Sequence, residues 1–144
     1  MEDDALIKKY VTERRKELLQ THHILREITD EALLCKKVKK DKIVMHFYDK
    51  KFKRCQEMNK ALESLAPQYS KIEFLCGEAE KFPYITNMLE ITHLPYLATF
   101  SDGYFTGGII GYQDIGDDQL DLKLLEGFLQ NHSAISGSQD RPIE

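Results

Sequence analysis

The stretch from Ile43 to Leu65 constrains this chain more than any other. It opens with IVMHFYD, a short apolar run with Asp41 before it and Asp49 at its end. Its length and its β-branched and aromatic content predict a buried strand rather than a helix. KKFKRC then leads into a second pattern, with apolar residues at Phe52, Cys55, Met58, Leu62 and Leu65 and with Ala61 and Ala66 filling in. Steps of three and four put these residues on one stripe of a helix. A buried strand running straight into an amphipathic helix is half of a β-α-β unit.

The flanking sequence extends the alternation. Asp4 to about Gln20 reads as a helix with a thin apolar stripe of Leu6, Ile7, Tyr10, Val11, Leu18 and Leu19, and acidic Glu2, Asp3 and Asp4 suit its positive end. It packs either on its own domain or on a partner. His22 to Ile28 is an edge-strand candidate, and Thr29 is expected to cap a helix carrying Ala32, Leu33, Leu34 and Val38 and ending in KKVKKDK. Pro67 should end the central helix. Ser70–Cys76 alternates as a strand, and Phe82-Pro83 opens a helix with Pro83 in its first turn and Phe82, Ile85, Met88 and Leu89 inward.

After Pro95, Tyr96–Phe100 reads as a strand, Ser101-Asp102-Gly103 as a hairpin turn, and Tyr104–Tyr112 as the returning strand. Gly107-Gly108 within it point to a bulge or a close backbone approach. Asp117-Asp118 are expected to begin a last helix with Leu120, Leu124, Leu125, Phe128 and Leu129 on one side. From His132 onward the sequence is polar and aperiodic, as expected of a disordered tail.

Composition narrows the function classes. The chain has 144 residues, enough for one domain with one core. A formal net charge of −4 argues against nucleic acid, and the lysine run lacks interleaved aromatics for stacking on bases. No run approaches the 18 apolar residues of a membrane span, and MEDDALIKKY lacks the apolar core of a signal peptide. A cytoplasmic, reducing setting is the expectation. Cys35, Cys55 and Cys76 are odd in number, far apart and without a CxxC spacing, so each is read as a small buried or half-buried hydrophobe. No pattern of closely spaced ligands points to a metal, and no cofactor is expected.

The order strand, helix, strand, helix, Pro, two strands, helix resembles the thioredoxin fold. The resemblance implies an α/β domain with a central mixed sheet flanked by helices. It is laid out here as an N-terminal helix over 1–22, a thioredoxin-like domain over 23–131 and a flexible tail over 132–144. In that family a Trp-Cys-x-x-Cys motif sits at the strand-to-helix junction, facing a cis-proline. Phe47-Tyr48 match the strand end, Pro95 matches the cis-proline and Cys55 matches the second cysteine. Phe52 stands where the first, nucleophilic cysteine would be. Dithiol exchange needs a thiolate to attack and a second thiol to resolve the mixed disulfide, and Phe52 supplies neither. The chain is therefore not expected to be an enzyme.

VMHFYDKKFKRCQEMNKALESLA is also similar to the matching segment of the phosducin-like family, which carries a His-Phe-Tyr strand end, an Arg-Cys pair opening the helix and no dithiol. LREITDEALL, THLPYLATFSDG and IIGYQDIGDDQLDLKLLEGFL agree in order, so the resemblance covers about Glu17 to Leu129. It implies a co-chaperone that binds the cytosolic chaperonin and modulates folding of clients, chiefly actin and tubulin. Some relatives bind the βγ dimer of G proteins through a longer N-terminal region; the short stretch here counts against that partner.

Three functions follow for comparison. As a binding module, the chain would use the basic run Lys50, Lys51, Lys53 and Arg54, with Lys36, Lys37, Lys39, Lys40 and Lys42 on the other side of the strand. Glu78, Glu80, Asp114, Asp117, Asp118 and Asp121 collect elsewhere, and separated signs can orient a partner. As a monothiol redox or oxidant-sensing protein it would use Cys55, whose pKa a helix N-terminus and Lys53-Arg54 could depress. The third function, nucleic-acid scaffolding, lacks sequence support. Pro95 is read as structural.

Overall fold

In the computed structural model, residues 24–132 and 141–142 are described, and they form one mixed sheet with helices on both faces. The order is β1 (Leu25–Glu27), α1 (Glu31–Val38), β2 (Lys42–Tyr48), α2 (Lys53–Leu65), β3 (Glu73–Glu78), α3 (Pro83–Met88), β4 (Tyr96–Ser101), β5 (Tyr104–Ile110), α4 (Leu122–His132) and β6 (Arg141–Pro142). Across the sheet the strands run β1-β3-β2-β4-β5-β6. β1 and β2 are parallel to β3, while β4 is antiparallel to β2 and β5 to β4. Both crossovers, through α1 and α2, join parallel strands, which is the βαβ arrangement the alternation predicts.

β2 is central and buried on both faces, so it reads as a continuous apolar run rather than an alternation. Its side chains nonetheless divide by the two-residue period of a strand. Val44 joins Phe74, Leu97, Met58, Leu62, Leu125 and Leu129 under α2 and α4. Ile43, Met45 and Phe47 join Leu34, Leu75, Phe82, Ile85 and Phe100 under α1 and α3. Each large aliphatic or aromatic side chain removed from water contributes about 1.5–3 kcal/mol before conformational entropy is subtracted.

Several expected boundaries shift. β1 is the expected edge strand, observed from Leu25 only. α1 is capped by Asp30, not Thr29: one Asp30 carboxylate oxygen accepts from the backbone N–H groups of Ala32 and Leu33 at 3.0 and 3.4 Å. Asp and Thr both cap, and only the path of the chain decides between neighbours. The expected Ser70–Cys76 strand becomes Glu73–Glu78, because a short 3-10 turn through Pro67 ends α2 and delays the strand.

Asp102 and Gly103 form the hairpin turn with φ of 51° and 95°, the pair of positive values that a two-residue turn between twisted strands requires. The bulge reading of Gly107-Gly108 holds, while the close approach at Gly108 is by side chains rather than backbone. The β4–β5 register slips beside Gly107, between Thr99 and Phe100, and a Cβ on Gly108 would collide with the Tyr96 side chain. The last helix does not begin at Asp117-Asp118. Asp117 has φ 57°, outside the right-handed helical region, and Asp121 instead caps α4 by accepting from Lys123 and Leu124 N–H at 2.9 and 3.2 Å. Leu124, expected on the inner side, is exposed, while Leu125 and Leu129 are buried.

The expected N-terminal helix, His22-His23 and most of the tail lie outside the described residues. Arg141 and Pro142 pair with Phe105 and Tyr104 at the outer edge of β5.

Candidate functional site

The strand-to-helix junction after β2 is built by Asp49. Its side chain accepts from Lys51 N–H at 2.9 Å and its carbonyl from Phe52 N–H at 3.0 Å, turning the chain out of the sheet. Phe52 then takes the N-cap of α2 with extended backbone, and its carbonyl accepts from Cys55 and Gln56 N–H at 3.1 and 3.2 Å. Its side chain offers no cap and is 48% exposed. The apolar stripe of α2 therefore starts at Cys55, and Phe52 lies off it, contrary to the expectation from spacing.

Cys55 is 0% exposed and packs with Tyr48 and Cys76, against Leu25 and Leu94. Its thiol is pushed up from the ordinary range, chiefly by burial; a hydrogen bond with the Asp49 backbone opposes this, and the Asp49 carboxylate adds to it. The depression by the helix N-terminus and Lys53-Arg54 that the monothiol alternative needs does not occur. Burial outweighs it, because an ionised sulfur there would lose its hydration. The Cys76 thiol is pushed up to about 12 by burial, then by the Glu27 and Glu63 carboxylates. The Tyr48 hydroxyl donates to the Glu27 carboxylate, and the phenol is raised first by burial and then by that bond. All three cysteines are free thiols.

Facing this junction, the Leu94–Pro95 peptide is cis. The Pro95 carbonyl accepts from Gly111 N–H at 2.7 Å, which ties the loop to the end of β5. Pro95 is buried, in line with a structural role.

Lys50, Lys51, Lys53 and Arg54 are all exposed around Phe52. Lys53 and Arg54 put two cations at the positive end of α2, each unfavourable by about 0.3–1 kcal/mol in exposed settings. Arg54 has an intramolecular role besides: its guanidinium lies 4.8 Å over the Tyr112 ring and donates to the Asp118 carbonyl at 3.4 Å. The expected separation of charge is incomplete. Lys50 comes within 3.9 Å of Glu78, which also pairs with Lys81 at 3.2 Å, and Arg54 meets the acidic loop at Asp118. A groove of about 220 Å³ beside the junction is lined by Tyr48, Asp49, Lys50, Lys51, Glu78 and Leu94. On the other side of β2, Lys37 is no solvated helix end. It makes a two-pronged salt bridge to Glu73 at 2.7 and 2.9 Å, with Glu73 only 5% exposed.

Asp49 and Glu78 shape the site, and the sequence reading, which noted both, assigned neither to it. The Asp at a strand end was a readable turn signal; nothing local marks Glu78 as a neighbour of Lys50. Among the described residues no cluster of His, Cys, Asp and Glu could hold a metal ion, and no helix is long and apolar enough to cross a membrane.

A sheet of this order, two parallel crossovers and a cis-proline opposite the β2–α2 junction define a thioredoxin-fold protein, here with an aromatic ring where the attacking sulfur would stand and no CxxC. Solved structures agree. A thioredoxin from Halobacterium salinarum superposes with a TM-score of 0.66 at 16% identity, covering 81% of this chain and 96% of that one. Spinach chloroplast thioredoxin f gives 0.63 at 19%, covering 81% and 93%. No family model matches the chain. Among curated proteins it is 34% identical over 125 residues to phosducin-like protein 3 of Dictyostelium discoideum, covering 80% of this chain and 68% of that protein. It is 32% identical over 133 residues to the thioredoxin domain-containing protein PLP3A of Arabidopsis thaliana, and 32% over 124 residues to thioredoxin domain-containing protein 9 of the rat. The chain belongs to the phosducin-like family. It spans 58% of the length of the Arabidopsis protein and 55% of the rat one.

Proposed function

We propose that this protein acts by holding other proteins, as a co-chaperone of the cytosolic chaperonin that modulates folding of clients such as actin and tubulin, and that it is not a redox enzyme. The observation that carries the reading is the exchange of roles at the junction: the exposed position is a phenyl ring, and the thiol three residues on is buried with its pKa raised. A thiolate is the reacting species in disulfide exchange, so a buried, protonated Cys55 also disfavours the monothiol alternative.

The same site has features suited to contact. Phe52 is an exposed aromatic side chain among the cations Lys50, Lys51 and Lys53; aromatic residues are enriched in protein interfaces, and the cations around it would orient a partner of opposite charge. The cations crowd the end of α2 where the helix dipole disfavours them, as expected of a surface kept for a partner. That partner surface would be acidic. A cytoplasmic location, the absence of nucleic-acid and membrane partners, and the weak case for G-protein βγ belong to the same proposal.

The test is capture from native lysate on the immobilised full chain, read by mass spectrometry. Chaperonin subunits should be recovered in bulk, and Lys50→Glu, Lys51→Glu and Lys53→Glu together should reduce them severalfold. Recovery without chaperonin would sink the reading; recovery unaffected by the triple change would move the contact elsewhere on the domain. In a parallel insulin-reduction assay the protein should be inactive, and turnover lost in Cys55→Ser would overturn the binding reading.

A further inference from the structure

We propose that the chain carries a second binding surface, between α1, α3 and the β4–β5 hairpin, which takes an acidic protein segment anchored by one bulky apolar side chain. This surface is separate from the junction and does not rest on the function assigned there. The Gly103 N–H of the hairpin turn donates to the Val38 carbonyl at 2.9 Å, and Ser101 pairs with Lys42 at the start of β2. Phe52 follows the finish of β2, so the two surfaces lie about 20 Å apart along that strand.

One half of the surface is apolar. It is a groove of about 290 Å³ lined by Cys35, Val38, Tyr84, Ile85, Met88 and Phe100, with Lys39 and Gly103 at its edge. Val38, Ile85 and Phe100 are buried and form its floor, while Tyr84 at the rim is 60% exposed. Ligand cavities start at about 300 Å³, so a groove of this size admits one large side chain rather than the face of a helix.

The other half is basic. A neighbouring depression of about 480 Å³ is lined by Lys36, Lys37, Lys39, Lys40 and Asp41, and it meets the groove at Lys39, which lines both. Lys37 is already bound to Glu73. Lys36, Lys39 and Lys40 are exposed, and none of them makes a salt bridge among the described residues. Glu31, the carboxylate at the contact of α1 with α3, is engaged by the Ile85 N–H at 2.9 Å.

Lysines at the end of a helix are favoured by its dipole and by themselves mark no site. Here three unpaired cations crowd together, repelling one another, and share a wall with an apolar recess. Carboxylates on a bound segment would relieve that repulsion while an apolar residue beside them fills the groove. A flat lipid surface matches the charge only, because it presents no side chain that reaches down to Val38, Ile85 and Phe100.

The chain has no tryptophan, so a tryptophan in a peptide reports its own surroundings. The probe is a short synthetic peptide, one tryptophan flanked on both sides by glutamates, titrated with the full chain. Saturable binding should come with a blue-shifted tryptophan emission. Saturating peptide should also slow the reaction of Cys35 with N-ethylmaleimide severalfold, read by peptide mass spectrometry, since that half-buried thiol lines the groove. Lys36→Glu, Lys39→Glu and Lys40→Glu together should weaken binding roughly tenfold, which is about 1.4 kcal/mol spread over three exposed pairs. Tyr84→Ala should weaken it severalfold. All four side chains are exposed, so the variants keep the fold. No saturable binding up to about 1 mM would overturn the proposal, as would equal affinity in the triple variant. Binding that leaves the emission unshifted and Cys35 unprotected would place the peptide elsewhere and overturn it too. Phosphatidylserine vesicles held through the same lysines, with no binding of the peptide, would assign this face to a lipid surface instead.

Discussion

Arg54 and Tyr112 hold each other by both ends. The Arg54 guanidinium lies 4.8 Å over the Tyr112 ring, and the Tyr112 hydroxyl donates to the Arg54 carbonyl at 2.9 Å and to the Glu57 carboxylate at 2.8 Å. The pair joins the first turn of α2, beside Phe52, to the loop that follows β5. Tyr112 is 2% exposed, and its phenol is pushed up by burial first and by Glu57 second, so it remains a donor at any ordinary pH. Tyr112→Phe should cost about 1–2 kcal/mol, since it removes a hydrogen bond to the charged Glu57 carboxylate, whereas Arg54→Ala should cost about 1 kcal/mol or less. Urea denaturation of the two variants checks the order; a larger loss for Arg54→Ala would show that the cation, not the hydroxyl, carries the link.

His46 should make stability pH-dependent. It is buried at the centre of β2, its Nδ1 bonded to Asn59 Oδ1 at 2.7 Å and its Nε2 without a partner. Burial lowers its pKa from 6.5 to about 4, against an opposing effect of the Asn59 bond. The unfolded chain therefore takes up the proton first as pH falls. The stability this histidine supplies is complete above pH 6.5 and is lost between 6.5 and about 4, on the order of 3 kcal/mol in all. Besides Asn59, it stacks with Tyr48 and lies beside Cys76 on β3 and Leu97 on β4. In His46→Leu the fall across that window should flatten, measured as unfolding free energy at pH 7 and at pH 4.5. An equally steep fall in the variant would place the titrating group elsewhere.

The Lys37–Glu73 bridge should resist single changes and tolerate a double one. Lys37→Met leaves a buried carboxylate without its cation and should cost about 2–3 kcal/mol. Lys37→Met with Glu73→Leu should recover most of that. Thermal unfolding of the three proteins closes the cycle, and additive losses would mean that the pair does not interact.

Gly77 has no room for a side chain. A Cβ there would run into the buried Phe82 ring and lie 2.8 Å from the Ile28 carbonyl oxygen. Gly77→Ala should lose about 1–3 kcal/mol through displacement of α3 from β3. Gly127→Ala, on α4 with open space around it, should be neutral or stabilising. Similar melting temperatures for the two variants would contradict the packing described.

Phe52→Cys restores the missing spacing, placing an exposed thiol three residues before buried Cys55. It should gain disulfide-reductase turnover that a further Cys55→Ser removes, measured against the inactive parent. An inert Phe52→Cys protein would mean that the junction geometry, and not only the missing sulfur, has left thiol chemistry behind.

The strand β2, the helix after it, the proline opposite and the hairpin turn were legible because each rests on local rules: side-chain period, proline geometry, residues that accept positive φ. The absent dithiol was legible for the same reason, being a matter of spacing. Helix starts were less so. Thr29 and Asp117 both had cap chemistry, yet Asp30 and Asp121 serve, since a cap depends on where the backbone turns. Phe52 looked like one more residue of the apolar stripe, because periodicity does not mark where a helix begins.

Taken alone, the amino-acid order determined that this chain forms a thioredoxin-type sheet and lacks a nucleophile at its usual site. Only the folded arrangement decided which charges meet and which thiol is silent. Lys50 finds Glu78, Lys37 finds Glu73 and Arg54 finds Tyr112 across separations of 28 to 58 positions. The Cys55 thiol, read from the sequence as a buried or half-buried hydrophobe with acidification as the alternative, is held protonated by neighbours in space. Burial and long-range pairing depend on the distances that folding creates, and spacing along the chain does not encode them one residue at a time.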